Sequence, residues 1–175
     1  IMGGRKRTAG AGKGGSAMEW TVERDYAREA LPKRDPEGHK GTFGEVLALA
    51  GSVGYTGAAW LAAEGAVRGG CGLVHLGVPE DIWPVEAVKC TSAMPFPLAA
   101  EDGGLSLRAL EGIREKLARC DVLALGPGLG RRAETAELIR RLLSETEKPA
   151  VLDADGINAL AGHIDILDRR RGRVT

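Results

Sequence analysis

Short apolar runs alternate along the chain with longer stretches of helical character. The runs of strand length occupy residues 45–50, 73–78, 121–125 and 149–152. The stretches of helical character between or beside them occupy residues 58–67, 106–117 and 131–147. Buried parallel strands are nearly continuous apolar runs, and helices connect one strand to the next. The pattern therefore predicts an α/β fold with a mostly parallel sheet and helices on both faces.

Proline positions define two smaller elements. Pro32 is expected to end a short helix that Thr21 begins as its N-cap, because the residue before a proline avoids the helical region. Pro95 and Pro97 indicate that residues 91–98 form an extended segment at a sheet edge, where a strand can lack amide donors. A helix is also predicted over 80–88.

The second half of the chain adds four local predictions. Residues 101–104 are predicted to form a turn, and Ser106 is expected to cap the amphipathic helix that follows it. Residues 159–167 are predicted to form a short helix. Val174 and Thr175 are predicted to be the first residues of another strand. A fold that ended there would leave a strand edge unpaired, so we expect the sequence to stop within a domain.

The composition is that of a globular protein with an unusual N-terminal segment. A chain of 175 residues, 43% of them apolar, can bury one sizeable core. Residues 1–18 carry four basic residues and no acidic one, and we interpret them as a disordered leader or a sequence added for expression. Residues 19–175 then form the N-terminal part of a single domain. They contain 20 basic and 24 acidic residues, so nucleic-acid binding is not expected.

Neither a membrane nor an oxidising compartment is indicated. No apolar run approaches the roughly 18 residues of a membrane span, and the N terminus lacks the apolar region of a signal peptide. Cys71, Cys90 and Cys120 are scattered and odd in number, which is typical of buried thiols in a cytoplasmic protein. They show no C-x-x-C spacing, so they predict no metal site.

Residues 51–57, GSVGYTG, form a glycine-rich loop between the first predicted strand and the first long helix. Open α/β sheets bind ligands at this end of their strands, and backbone N–H groups at a helix N-terminus favour an anion. The loop matches neither a Walker motif nor G-x-G-x-x-G. Two interpretations stay open: an anion site, or a turn that lets helix and strand pack closely.

Two later loops should lie at the same edge of the sheet. Residues 126–130, GPGLG, follow one strand, and Asp153 and Asp155 follow the next. Carboxylates two positions apart share a face in extended chain, where they suit Mg²⁺ through water, or sugar hydroxyls. Each loop also has a structural alternative: a tight turn for 126–130, and a helix cap for Asp155.

Other polar residues give weaker indications. Lys40 and Gly41 precede the first strand, where a solvated loop is the preferred interpretation and contact with the phosphate of a nearby nucleotide is the alternative. His75 lies within a strand and is expected to be structural. No Ser/His/Asp or Cys/His arrangement for nucleophilic catalysis is evident.

A family resemblance rests on three stretches that occur in order: HKGTFGEVLALAGSVGYTGAAWLAAEGAVRGGCGLVHLGVP, DVLALGPGLG and PAVLDADGINAL. Together they resemble the ADP/ATP-dependent NAD(P)H-hydrate dehydratases over about residues 21–175. The resemblance implies a ribokinase-like three-layer fold, incomplete here at its C-terminus, and a metabolite-repair hydro-lyase. Such an enzyme uses ADP or ATP with Mg²⁺ to phosphorylate the hydroxyl of hydrated NADH or NADPH, which the ring nitrogen then expels.

The resemblance also implies roles for single residues. Those expected to bind or lie near the hydrated nucleotide are Tyr55, Gly57, Ala58, Gly128, Gly130, Asp153 and Asn158. Lys40 and Gly41 are expected to contact the ADP or ATP phosphates because of their residue types, and the resemblance does not supply this role. No metal ligands are identified.

Part of the family's pattern is missing from this sequence. The family continues with a Thr-Pro-His-Pro-Gly-Glu segment and an Asn-x-Gly-Thr-Gly-Asp segment, whose last aspartate is the catalytic base, and both would fall beyond Thr175. The chain alone is therefore expected to be inactive unless a second polypeptide supplies the rest, and self-association is expected from the family. Two alternatives stay open: a ribokinase-like kinase of vitamin alcohols, and a non-catalytic nucleotide-binding or assembly module.

Overall fold

The computed structural model describes residues 23–31 and 33–175. The chain comprises two compact units, residues 1–36 and residues 37–175. In the first unit, helix α1 spans Arg24–Ala30 and is followed by an extended Leu31, as the proline after it requires. The predicted leader and the predicted Thr21 cap lie outside the described residues. Within the described residues, no helix is both long and apolar enough to cross a membrane.

A parallel sheet organises the second unit. Its strands and those of a small hairpin are β1 (Glu45–Leu49), β2 (Leu73–Pro79), β3 (Met94–Leu98), β4 (Ala100–Glu101), β5 (Gly104–Leu105), β6 (Val122–Leu125) and β7 (Ala150–Leu152). The five strands of the main sheet lie in the order β3-β2-β1-β6-β7, and every pair is parallel. Strands β4 and β5 pair with each other in an antiparallel hairpin. The predicted α/β fold is confirmed.

Helices cover both faces of this sheet. They are α2 (Thr56–Arg68), α3 (Trp83–Lys89), α4 (Leu110–Arg119), α5 (Ala133–Glu145), α6 (Asp155–Asn158) and α7 (Asp165–Arg169). Successive side chains of a strand point to opposite faces of the sheet, so the buried residues form two clusters, one on each face. Leu47 and Leu123 pack with α4 and α5 on one face, whereas Ala48 and Val74 pack with α2 on the other. The buried residues of α2 are alanines, which lets this helix approach the strands closely.

Two local predictions were wrong in detail. The helix predicted over 159–167 is instead α6 and α7, separated by turns in which Gly162 has a φ of +77°. The hydroxyl of Ser106 does not cap the following helix; the N–H of Leu107 donates instead to Glu134 of α5, at 2.7 Å. By contrast, the turn predicted at 101–104 is confirmed: it joins the two-residue strands β4 and β5, which are too short to produce a pattern in the sequence.

Strand β3 forms one edge of the main sheet among the described residues, as its prolines predicted. Pro95 and Pro97 lack N–H groups, and they are the register partners of Leu76 and Val78. The carbonyl of Pro95 accepts a hydrogen bond from the indole Nε1 of Trp83 at 3.2 Å. At the opposite side, Val174 forms a single parallel bridge with Ala150, at the place where extended chain was predicted.

Candidate functional site

Three loops emerge side by side at the carboxyl edge of the sheet. The first loop (residues 50–55) follows β1, the second loop (residues 126–132) follows β6, and the third loop (residues 153–154) follows β7. Strands β1, β6 and β7 are neighbours and run in the same direction. This edge is where open α/β sheets bind their ligands.

Two hydrogen bonds join the first loop to the second. The N–H of Gly51 donates to the carbonyl of Pro127 at 2.8 Å, and the hydroxyl of Ser52 donates to the carbonyl of Gly128 at 2.7 Å. Ser52 is buried, so its hydroxyl is committed to this contact. Sequence reasoning did not single out Ser52, because a serine in a glycine-rich loop has no feature that distinguishes a buried donor from an exposed one.

Gly128 lies against the start of α2. A Cβ atom on Gly128 would lie 2.8 Å from the Cβ of Ala58 and 2.9 Å from that of Tyr55. Tyr55 is the N-cap residue of α2 and is 60% exposed, so its ring is available to a ligand. A Cβ on Gly57 would meet no atom within 4 Å, so open space lies beside it. The structure thus brings together predicted site residues from two separate loops.

Asp155 joins the second loop to α6. One of its carboxylate oxygens accepts the N–H of Gly130 at 2.9 Å, and the other accepts the side-chain amide of Asn158 at 3.1 Å. Nε of Arg131 lies 3.7 Å from the same carboxylate. Ala154 is the N-cap residue of α6 and no side chain caps this helix, so the capping role suggested for Asp155 was wrong. Asp155 instead holds Gly130 and Asn158 in place.

The third loop is packed tightly against the second. A Cβ on Gly126 would overlap the carbonyl oxygen of Asp153. Ala154 adopts a φ of +46°, a conformation that side-chain-bearing residues rarely adopt, and its N–H donates to the carboxylate of Asp153 at 2.8 Å. The side chain of Asp153 is exposed at the sheet edge. Strained backbone of this kind is concentrated at ligand sites.

This arrangement of loops can be compared with known proteins. The family model for NAD(P)H-hydrate dehydratase matches residues 46–175, which include all three loops. The chain belongs to this family. The bifunctional NAD(P)H-hydrate repair enzyme of Moorella thermoacetica is 45% identical over 148 residues, and that of Salinibacter ruber is 41% identical over 142 residues. These matches cover 84% and 80% of the chain.

Solved structures agree with the family assignment. The ADP/ATP-dependent NAD(P)H-hydrate dehydratase of Bacillus subtilis, co-crystallised with ATP and Mg²⁺, aligns over 75% of the chain with 30% identity and a TM-score of 0.59. A ribokinase-like protein of Enterococcus faecalis aligns over 81% with a TM-score of 0.68, and at 20% identity it supports the fold alone. The chain spans 28% of the Moorella enzyme and 44% of the Bacillus enzyme.

The predicted site residues divide between the two edges of the sheet. Seven of them lie at the carboxyl edge, in or beside the three loops: Tyr55, Gly57, Ala58, Gly128, Gly130, Asp153 and Asn158. Lys40 and Gly41 belong to a 3-10 turn before β1, and Lys40 packs against Gly72, just before β2. The amino ends of both strands lie there, so the structure does not bring Lys40 and Gly41 to the other seven.

A buried carboxylate supports the start of α2. Glu86 of α3 is fully buried, and Lys89 lies 3.4 Å from one of its oxygens. Nζ of Lys89 also donates to the hydroxyl of Thr56, the first residue of α2, at 2.7 Å. Burial raises the pKa of Glu86 above its ordinary value of 4.5, although the nearby Lys89 charge opposes the shift. The network fixes the helix end that carries Tyr55 and Ala58.

Glu86→Gln is expected to make the free energy of unfolding fall less steeply as pH rises. A carboxyl group with a raised folded-state pKa contributes stability below its unfolded value of 4.5, and the contribution is lost as pH rises through the folded pKa. Glutamine has nearly the same shape and never ionises. The difference in unfolding free energy between variant and parent, measured by urea unfolding, should therefore shift in favour of the variant as pH rises above 4.5.

Glu137→Gln is the matched control for this experiment. Hydrogen bonds from Arg141 and Arg140 lower the pKa of Glu137, so its contribution is lost as pH falls and its substitution should have the opposite pH trend. Parallel pH trends for the two variants would contradict the assignment of a raised pKa to Glu86.

Proposed function

We propose that the carboxyl edge of the sheet binds the hydrated form of NADH or NADPH, and that the chain serves its ADP- or ATP-dependent dehydration. One observation carries the proposal: Gly128 of the second loop lies directly against Tyr55 and Ala58, within the region that matches the family. The loops therefore form a continuous surface at the edge where α/β sheets bind nucleotides.

The side chains at this edge suit a nucleotide with a diphosphate and two riboses. The exposed ring of Tyr55 offers a face on which a nicotinamide or adenine ring can stack. Arg131 is exposed and positively charged, which suits a phosphate. The exposed carboxylate of Asp153 suits ribose hydroxyls. The open space beside Gly57 lets the ligand approach the backbone of α2.

We infer the use of ADP or ATP and of Mg²⁺ from the Bacillus enzyme, which is ADP/ATP-dependent and was co-crystallised with ATP and Mg²⁺. Asp155 is partly buried and accepts hydrogen bonds from Gly130 and Asn158, so we assign it the role of holding the loops and no metal contact. Asp153 fits a contact through water, since its side chain is exposed and Mg²⁺ keeps much of its hydration shell.

In the proposed reaction the hydroxyl oxygen of the hydrate accepts a phosphoryl group from ADP or ATP and leaves as phosphate, and loss of a proton from the neighbouring ring carbon restores the dihydronicotinamide. The contribution of this chain is to bind and orient the hydrate. The hydrogen bonds of Asp155 and Ser52 hold the three loops at fixed positions relative to one another. A preformed site of this kind lowers the entropy cost of positioning the hydroxyl of the hydrate for phosphoryl transfer. Binding of the hydrate by the chain is thus separable from turnover, for which we expect further residues to be required.

Calorimetric titration of the chain with NADPH hydrate tests the proposal. We expect binding of one hydrate per chain, and weaker binding of NADPH, which lacks the hydroxyl. The matched control is hydroxyethylthiazole or pyridoxal, each a vitamin alcohol. Binding of a vitamin alcohol without the hydrate would favour a small-molecule kinase. If neither hydrate nor ADP stabilised the chain against thermal unfolding, a non-catalytic module would be favoured instead.

A further inference from the structure

The amino edge of the sheet carries a second cluster of reactive side chains. Glu45 is the first residue of β1, His75 lies in β2, and Cys120 lies between α4 and β6. His75 is the register partner of Leu47, so Glu45 and His75 point to the same face of the sheet as the cluster that includes Cys120. One ligand atom from each of the three residues lies within 4.8 Å of the other two.

The spacing of these atoms is close to that of a metal centre. Thiolate, imidazole and carboxylate are the ligands of tetrahedral zinc, at about 2.0–2.3 Å from the ion, which puts neighbouring ligand atoms about 3.3–3.8 Å apart. Nε2 of His75 is already 3.3 Å from a carboxylate oxygen of Glu45. The sulfur of Cys120, which donates to the carbonyl of Lys116 at 3.4 Å, needs a movement of at most about 1.3 Å to complete the same geometry.

Hydrogen bonds from backbone N–H groups join the segments that carry Glu45 and Cys120. The N–H of Glu45 donates to the carboxylate of Asp121 at 2.8 Å, and the N–H of Asp121 donates back to the carbonyl of Glu45 at 2.8 Å. These bonds fix Glu45 relative to the neighbour of Cys120. The thiol is buried, whereas the side chains of His75 and Glu45 are 15% and 27% exposed. An ion can therefore enter from solvent, and a fourth position can hold water.

We propose that Glu45, His75 and Cys120 bind one divalent transition-metal ion, with zinc as the expected ion. A thiolate and a carboxylate balance its two charges, and binding releases the thiol proton to solvent. The site ties together the amino ends of β1, β2 and β6, which is the edge opposite the three ligand-binding loops. Its function is accordingly structural, and it does not depend on the proposed dehydration.

Titration of the metal-free chain with Co²⁺ and then Zn²⁺ tests this site. We expect one equivalent of Co²⁺ to give a thiolate-to-cobalt charge-transfer band and the strong visible bands of tetrahedral cobalt, and Zn²⁺ to displace it. Cys120→Ser should abolish the charge-transfer band. His75→Gln should weaken Zn²⁺ affinity by more than about tenfold. The controls are Cys90→Ser and His163→Gln, which should bind as the parent does.

Three results would overturn the proposal. They are the absence of a charge-transfer band in the parent chain, a band that persists in Cys120→Ser, and a Zn²⁺ affinity that His75→Gln leaves unchanged. Cys120 is buried, so Cys120→Ser could fail to fold. In that case the Zn²⁺ affinity of His75→Gln alone tests the site, since His75 is partly exposed and its substitution leaves the thiol in place.

Discussion

Gly126→Ala is expected to destabilise the chain by more than about 3 kcal/mol. Gly126 has a φ of +134°, which is accessible to glycine and strained for alanine. The added Cβ would overlap the carbonyl oxygen of Asp153 and lie 2.7 Å from the nitrogen of Gly156. Both contacts are backbone, so relief requires the second and third loops to separate. Urea unfolding of the two proteins measures the difference.

Gly162→Ala separates the cost of a positive φ from the cost of the overlap with the carbonyl oxygen of Asp153. Gly162 also has a positive φ, of +77°, but a Cβ there would meet no atom within 4 Å. Its substitution should cost only the backbone strain, about 1 kcal/mol. Equal losses for the two variants would show that the contact with Asp153 is not a constraint.

Gly128→Ala is expected to weaken binding of NADPH hydrate by more than about tenfold, equivalent to about 1.4 kcal/mol. Its Cβ would lie within 3 Å of the Cβ atoms of both Ala58 and Tyr55, so the second loop must move away from α2. This movement would open the surface on which the hydrate is proposed to lie. Calorimetric titration measures the affinity, and circular dichroism shows whether the variant is folded.

The matched control lies in the first loop. Gly54 has a φ of +90°, and a Cβ there would meet no atom within 4 Å. Gly54→Ala therefore adds backbone strain beside the same surface without forcing the loops apart, and it should bind the hydrate nearly as the parent does. A Gly128→Ala variant with parental affinity would remove Gly128 from the proposed site.

The main sheet could be predicted because its strands leave a strong local pattern. Apart from Glu45 at the start of β1, the buried parallel strands β1 and β6 are apolar, and a glycine follows each within two residues. The prolines of β3 indicated an edge for a local reason, the lack of amide donors. The hairpin of β4 and β5 leaves no such signal, because each strand has two residues and is defined by its partner.

The site could be predicted only as far as the sheet edge to which each loop belongs. The carboxylate of Asp155 bonds to Gly130, 25 positions away, and nothing in the local sequence distinguishes that contact from a helix cap. Lys40 lies before β1 and not after it. It therefore sits at the amino edge of the sheet, whereas the three loops sit at the carboxyl edge. The cluster of Glu45, His75 and Cys120 has ligands from three distant segments, so no motif spacing reveals it.

The edge formed by β3 also limits how copies of this chain can associate. An exposed strand normally offers N–H and C=O groups that another chain can extend into a larger sheet, and this is a common route to aggregation. In β3 the prolines remove two donors, and the indole of Trp83 occupies the carbonyl of Pro95. Self-association that used this edge would have to break the Trp83 bond and still lack donors. Any assembly of the chain is therefore expected to use side-chain surfaces instead of a continuous intermolecular sheet at β3.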